Sequence, residues 1–136
     1  MSLLMPRKVK YRKMQKGRTK GVETRGINLD FGSHGLKAME AKWITSRQLE
    51  AARRVILRYM KKGGKLWIRV FPYKPVSSHG GEMPMGGGKG GVDHYVYPAR
   101  AGRIIFEIDG LSDSESKEAL HKASNKLPVK TKYIKA

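Results

Sequence analysis

Cysteine is absent from the 136 residues, so disulfides, thiolate metal sites and cysteine nucleophiles are all excluded. Acidic residues are scarce: 11 Asp and Glu stand against 29 Lys and Arg, for a formal charge of +18. An excess of that size is beyond what solubility requires and would repel itself in a free compact molecule, so a polyanionic partner is expected. Nucleic acid and an anionic membrane surface are the two candidates. No apolar run approaches the roughly 20 residues of a spanning helix, which favours nucleic acid and no membrane. Histidine is sparse too. His34, His79, His94 and His121 are scattered, none is placed at metal-ligand spacing from another, and they read as unrelated surface residues with no metal.

No acid precedes Glu23, yet residues 6 to 20 carry Arg7, Lys8, Lys10, Arg12, Lys13, Lys16, Arg18 and Lys20, with Tyr11 among them. The opening stretch lacks a secretory apolar region, and Pro6 and Gly17 interrupt any amphipathic helix, so a targeting peptide is disfavoured. Such a run is either a solvated tail or an arm that folds on its partner. The arm is the reading taken here: its cations would neutralise phosphates while Tyr11 stacks on an unpaired base.

The hydrophobic share of 39% fits one core, and we expect a single domain over 1–136, with a basic arm over 1–25 and an extended glycine-rich loop over 76–91. Ile27, Leu29 and Phe31 alternate, a turn is expected at Gly32-Ser33-His34-Gly35, and the pattern resumes through Leu36, Ala38 and Trp43, which reads as two strands. A helix over about 46–62 follows, opened by a Thr45/Gln48 capping box and stopped by Gly63. Leu49, Ala52, Ile56, Tyr59 and Met60 share its apolar face. Arg47, Arg54, Arg58 and Lys61 line the opposite one, where only Glu50 stands ready to pair with Arg53 or Arg54, so this row suits phosphate.

"KLWIRVF" (65–71) alternates as a strand that Pro72 and Pro75 end, and "DHYVY" (93–97) and "GRIIFEI" (102–108) are two more. A second helix starts at Ser112 with Glu115, carries Ala119, Leu120, Ala123 and Leu127, and stops at Pro128, before a last strand "VKTKYI" (129–134). The order predicts an α+β fold, two helices packed on a mainly antiparallel or mixed sheet.

"HGGEMPMGGGKGG" (79–91) invites comparison with a nucleotide-binding loop, but Gly88-Lys89 is followed by Gly90, Met83 stands five places before Gly88, and no helix follows. Glu107 and Asp109 share a strand face, where solvation of two exposed carboxylates accounts for them without catalysis. With no triad either, an enzyme, a cofactor and a small-molecule substrate are not expected. The loop's small residues instead allow close backbone approach to another molecule, with Lys89 as a charge at its tip. A DNA-packaging module is the rival binding function, supported by charge alone.

Taken together, "PRKVKYRKMQKGR", "FGSHGLKAMEAKWITSRQLEAARR", "GGKLWIRVFPYKP", "MGGGKGG", "FEIDG" and "KLPVKTKY" resemble the universal large-subunit ribosomal protein sixteen family, L-ten-e in archaea, nearly end to end. The resemblance implies a non-enzymatic ribosomal constituent that binds large-subunit rRNA through the arm and the first helix. It implies further a loop, Met85, Gly86, Gly87, Gly88, Lys89 and Gly90, that extends toward tRNA near the aminoacyl site and the peptidyl transferase centre. Neighbouring ribosomal proteins would be partners, and the place a cytoplasmic bacterial ribosome or a plastid one. Some positions depart from the family pattern: Pro84 replaces an arginine before "MG", Tyr73 an aspartate in "FPDKP", and "EYWV" is "DHYV" here, with Tyr95 in place of the tryptophan.

Overall fold

A computed structural model describes residues 4–60, 64–78 and 86–136. Among them the elements run β1 (His34–Ala38), β2 (Lys42–Thr45), α1 (Ser46–Tyr59), β3 (Lys65–Ile68), β4 (Lys74–Ser78), β5 (Gly91–Ala99), β6 (Ile104–Asp109), α2 (Asp113–Ser124) and β7 (Thr131–Lys135). They form the α+β architecture expected, resolved into two antiparallel sheets, β3-β6-β1-β7 and β2-β5-β4. The first helix packs on β2 and β5, the second on β1 and β7, and the helices pack on each other. No helix among the described residues is long and apolar enough to cross a membrane.

The helix α1 begins where its cap dictates. Thr45 Oγ1 accepts the Gln48 N–H at 3.1 Å while the Gln48 side chain accepts the Thr45 N–H at 2.9 Å. Leu49, Ala52 and Ile56 are fully buried, each of the two larger side chains contributing about 1.5–3 kcal/mol of transfer free energy. The helix ends at Tyr59, short of the expected 62, because Met60 turns to extended backbone and packs against the core; Gly63 lies outside the described residues. At α2, Ser112 accepts the Glu115 N–H at 3.3 Å, and acids in the first turn and bases in the last complement the helix dipole. Tyr59 donates to Glu118 at 3.2 Å, and Lys122 sits over the Tyr59 ring, which joins the two helices at their rim.

Four sequence expectations are corrected. The segment from Gly26 to Ser33 forms no strand, and the expected turn at 32–35 instead runs into β1, which starts at His34. Its amides are spent elsewhere: Glu107 Oε1 accepts the N–H groups of Asp30, Phe31 and Gly32 at 2.9, 2.9 and 3.0 Å. The alternation of Ile27, Leu29 and Phe31 reflects packing, for Leu29 lies over Gly35 so closely that a Cβ there would overlap its Cδ2, and Phe31 stacks on Trp67. Second, Glu107 is fully buried, not exposed, and Arg69 donates to its other oxygen. Third, Lys74–Ser78 is a strand in spite of Pro75 within it and Pro72 before it, so the stretch between strands begins after Ser78 rather than at Val76. As an edge strand β4 tolerates Pro75, which has no ladder partner to miss on its outer side. Likewise β5 continues through Pro98 to Ala99, beyond Val96 where β4 stops pairing with it.

Fourth, His34 is no surface histidine. It is 3% exposed, stacked on Tyr133, with Ser33 Oγ 2.7 Å from Nδ1 and Asp113 Oδ1 2.9 Å from Nε2. His79 lies outside the described residues.

Candidate nucleic-acid interface

Register decides which face of each sheet is left for the chain's first 33 residues. In β2-β5-β4, Ile44 pairs with Tyr97 and Ala99 lies in phase with it, and this face enters the core beneath α1. Trp43, Lys74, Val76 and Pro98 share the other face. The arm crosses it. Trp43 Nε1 donates to Thr19 Oγ1 at 3.2 Å, and Lys74 Nζ lies 4.9 Å from the centre of the Trp43 ring while donating to the Lys16 carbonyl. A small cleft of about 190 Å³ between Met14, Lys16, Trp43, Val76 and Lys89 marks where the arm passes over the strands.

The arm and the glycine-rich stretch hold one another. Lys13 Nζ donates to the Lys89 carbonyl at 2.8 Å, and Lys89 Nζ donates to the Met14 carbonyl. Lys89 is thus brought onto the arm rather than standing alone at a tip. Gly86, Gly87 and Gly88 adopt φ of +112°, +77° and +96°, and a Cβ on any of them would meet nothing within 4 Å. Glycine is needed there for backbone conformation, not for space, and the exposed amides are left accessible. Gly90 is partly buried as it enters β5, and Met85 lies outside the described residues.

Of the cations expected to meet phosphate, Arg7, Lys8, Lys10, Arg12, Lys16, Arg18 and Lys20 are exposed, and Lys13 is half-buried by its bond to the loop. Tyr11 is 67% exposed, with Lys10 Nζ 5.7 Å from its ring centre. On α1, Arg47, Arg54 and Arg58 are exposed at spacings of seven and four that align them on one face. Lys61 lies outside the described residues. Glu50 pairs with both neighbours at once, Arg53 at 2.5 Å and Arg54 at 3.2 Å. The hydrogen-bonded Arg53 guanidinium holds its carboxyl down to about 2 against the upward push of burial, and Arg54 adds to this. Arg54 therefore presents a partly neutralised guanidinium, whereas Arg47 and Arg58 have no acidic partner among the described residues. A cleft of about 310 Å³ lined by Met5, Arg47, Val92, His94 and Tyr95 sets the start of α1 beside the arm and the strand leaving the glycine-rich stretch.

Sequence reasoning missed Lys74, which fastens the arm, and Arg103, which donates to the carbonyls of Arg69 and Arg25 at 2.6 and 3.3 Å. The signal for Lys74 was an alternation, Lys74-Pro75-Val76, hidden by prolines that an edge strand permits. No group of three His, Asp or Glu side chains among the described residues is arranged to hold a metal ion.

The family described as ribosomal protein L16p/L10e matches residues 6–134. A large ribosomal subunit protein uL16 from a Sulfurihydrogenibium species is 54% identical over 136 residues, covering 100% of this chain and 99% of the relative.

Proposed function

The chain belongs to the ribosomal protein L16p/L10e family and is a structural constituent of the large ribosomal subunit; we propose that it acts there as a non-catalytic scaffold binding rRNA and reaching toward tRNA. The observation that carries the reading is the run of cations from Arg7 to Lys20, free of any acid and exposed save Lys13, whose stretch from Lys13 to Thr19 is fastened to β2, β4 and Lys89, together with the exposed arginine row of α1. Arm and helix neutralise rRNA phosphates, and counterion release drives binding, so log affinity falls with log salt by roughly 0.7 to 0.9 per phosphate contacted. Gly86, Gly87, Gly88, Lys89 and Gly90, with Met85, form the part that approaches tRNA near the aminoacyl site and the peptidyl transferase centre. Backbone amides of glycines with no side chain give the closest approach to a polyanion, and Lys89 exchanges the Met14 carbonyl for a phosphate.

Removal of residues 80 to 90 tests this division of labour. Large subunits should still take up the shortened protein, with slowed accommodation of aminoacyl-tRNA; failure to enter the subunit would overturn it. Competition of duplex DNA against large-subunit RNA fragments tests the partner class, and equal affinity would return the chain to a general nucleic-acid packaging role.

A further inference from the structure

Arg18, Glu23, Tyr73, Lys74, Tyr97 and Arg100 line a cleft of about 350 Å³ beside the arm, in the size range of small-ligand sites. We propose that this cleft receives one unpaired RNA nucleotide: its base stacks on Tyr73, its phosphate lies between Arg18 and Arg100, and an exocyclic amino group of the base donates to Glu23. The proposal rests on the RNA-binding reading above and adds to it a residue-level site and a preference among bases.

The walls are fixed before any ligand arrives. Val22 bridges Ala101, and the Glu23 N–H donates to the Ala101 carbonyl at 2.9 Å, which pins the backbone under the carboxylate. On the other side of Arg18, Thr19 is held by Trp43 and the Lys16 carbonyl by Lys74. Tyr73 is 46% exposed, and its ring meets Tyr97 in a T-shaped contact, with centroids 6.2 Å apart and planes at 78°. Such a contact covers at most one face of the Tyr73 ring. An exposed aromatic face beside cations is the arrangement that takes single-stranded bases, stacking being sequence-tolerant and the cations holding the backbone.

Arg18 and Arg100 are exposed and have no carboxylate partner among the described residues. Lys74 is already engaged with the arm, so the two arginines are the groups available to phosphate. Glu23 is the odd member. A carboxylate weakens a site meant for phosphate alone, and its bond from the Arg25 N–H to Oε1 at 3.3 Å leaves Oε2 and further lone pairs unused. A base amino group is a neutral donor that a carboxylate accepts well, as it does from cytosine N4. Uracil has no such group, so the cleft discriminates against it.

The test uses the full chain with single-stranded oligocytidylate and oligouridylate of equal length, in anisotropy titrations at several salt concentrations, with ultraviolet crosslinks mapped by mass spectrometry. Oligocytidylate should bind about 5-fold tighter than oligouridylate, corresponding to about 1 kcal/mol of base discrimination. Glu23→Ala should abolish that ratio while tightening both ligands through the lost negative charge. Tyr73→Ala should weaken oligocytidylate about 5- to 20-fold with the salt slope unchanged. Tyr73→Phe should restore binding, and the crosslinked nucleotide should map to Tyr73 in the wild type. Arg18→Gln and Arg100→Gln should each make the salt slope shallower. Wild-type binding with no base preference, or a preference that survives Glu23→Ala, would overturn the proposal and leave general RNA binding standing. Absence of RNA binding by the wild type would remove both.

Discussion

Two stretches of the first 33 residues cover the outer faces of the two sheets, and charges of opposite sign hold them. Over β3-β6-β1-β7, the segment Gly26 to Ser33 is gripped by a buried anion, with three backbone N–H groups and Arg69 converging on Glu107. Over β2-β5-β4, the arm is gripped by cations, as Lys74 and Lys89 donate to the carbonyls of Lys16 and Met14 at the surface. The first clamp sits out of water, where a hydrogen-bonded charge is worth most and its loss costs most. The second lies at the surface, where water competes for its ammonium groups and the loss of one bond costs little. One strap is held by a buried charge; the other is held by bonds that water can compete for.

Breaking the anionic clamp should have the largest effect. Glu107→Ala leaves three amides without their acceptor and takes from the largely buried Arg69 one of its two carboxylate partners, Asp30 remaining, and should destabilise the fold by about 3–5 kcal/mol in urea titration. Gly35→Ala attacks the same strap from beneath, since the new methyl would overlap Leu29 and crowd the Phe106 carbonyl. We expect a loss of about 1–3 kcal/mol and faster amide exchange from residue 28 to 32, with the arm's exchange unaltered.

Acid sharpens the contrast. Burial raises the Glu107 carboxyl, but the amides of Gly32 and Phe31 and the Arg69 guanidinium outweigh it and hold it below the usual 4.5. A folded value below the unfolded one stabilises above the unfolded value, and that contribution disappears as pH falls through the folded value. The stability gap between the wild type and Glu107→Gln should therefore be full at neutral pH and close below 4.5. The smallest effect is expected at the cationic clamp: Lys74→Met should alter global stability by less than about 1 kcal/mol. It should nevertheless raise limited proteolysis within residues 13 to 20 of the free protein. Resistance equal to the wild type would mean that the arm is held by packing and not by Lys74.

The same contrast explains what could be read from the chain in advance. Both helices were legible because their signals are local: Thr45 and Gln48 cap α1, and Leu49, Ala52 and Ile56 recur at the helical period. The cationic surface was legible too, since a run without acids needs no fold to be noticed. The clamps were not. Glu107 reads as one member of an alternating strand, and nothing near it in sequence announces that the amides of Asp30, Phe31 and Gly32 will arrive there. Lys74 sat between two prolines that resemble the end of a strand, and only the pairing with β5 makes it an edge strand facing the arm. Tyr73 and Arg100 fall into one cleft through the same pairing.

The separation of 77 residues between Asp30 and its acceptor Glu107 also sets a timetable. At ribosomal speeds of about 5–20 residues per second, roughly 4–15 seconds pass between the synthesis of the strap and that of the carboxylate that fastens it. For most of that interval neither sheet is complete, since β5 ends only at Ala99 and β6 at Asp109, and contacts between distant residues are slow to close. The basic end of a newborn chain is thus made well before the strands and the carboxylate that fold against it, so its fastening is a late step of folding.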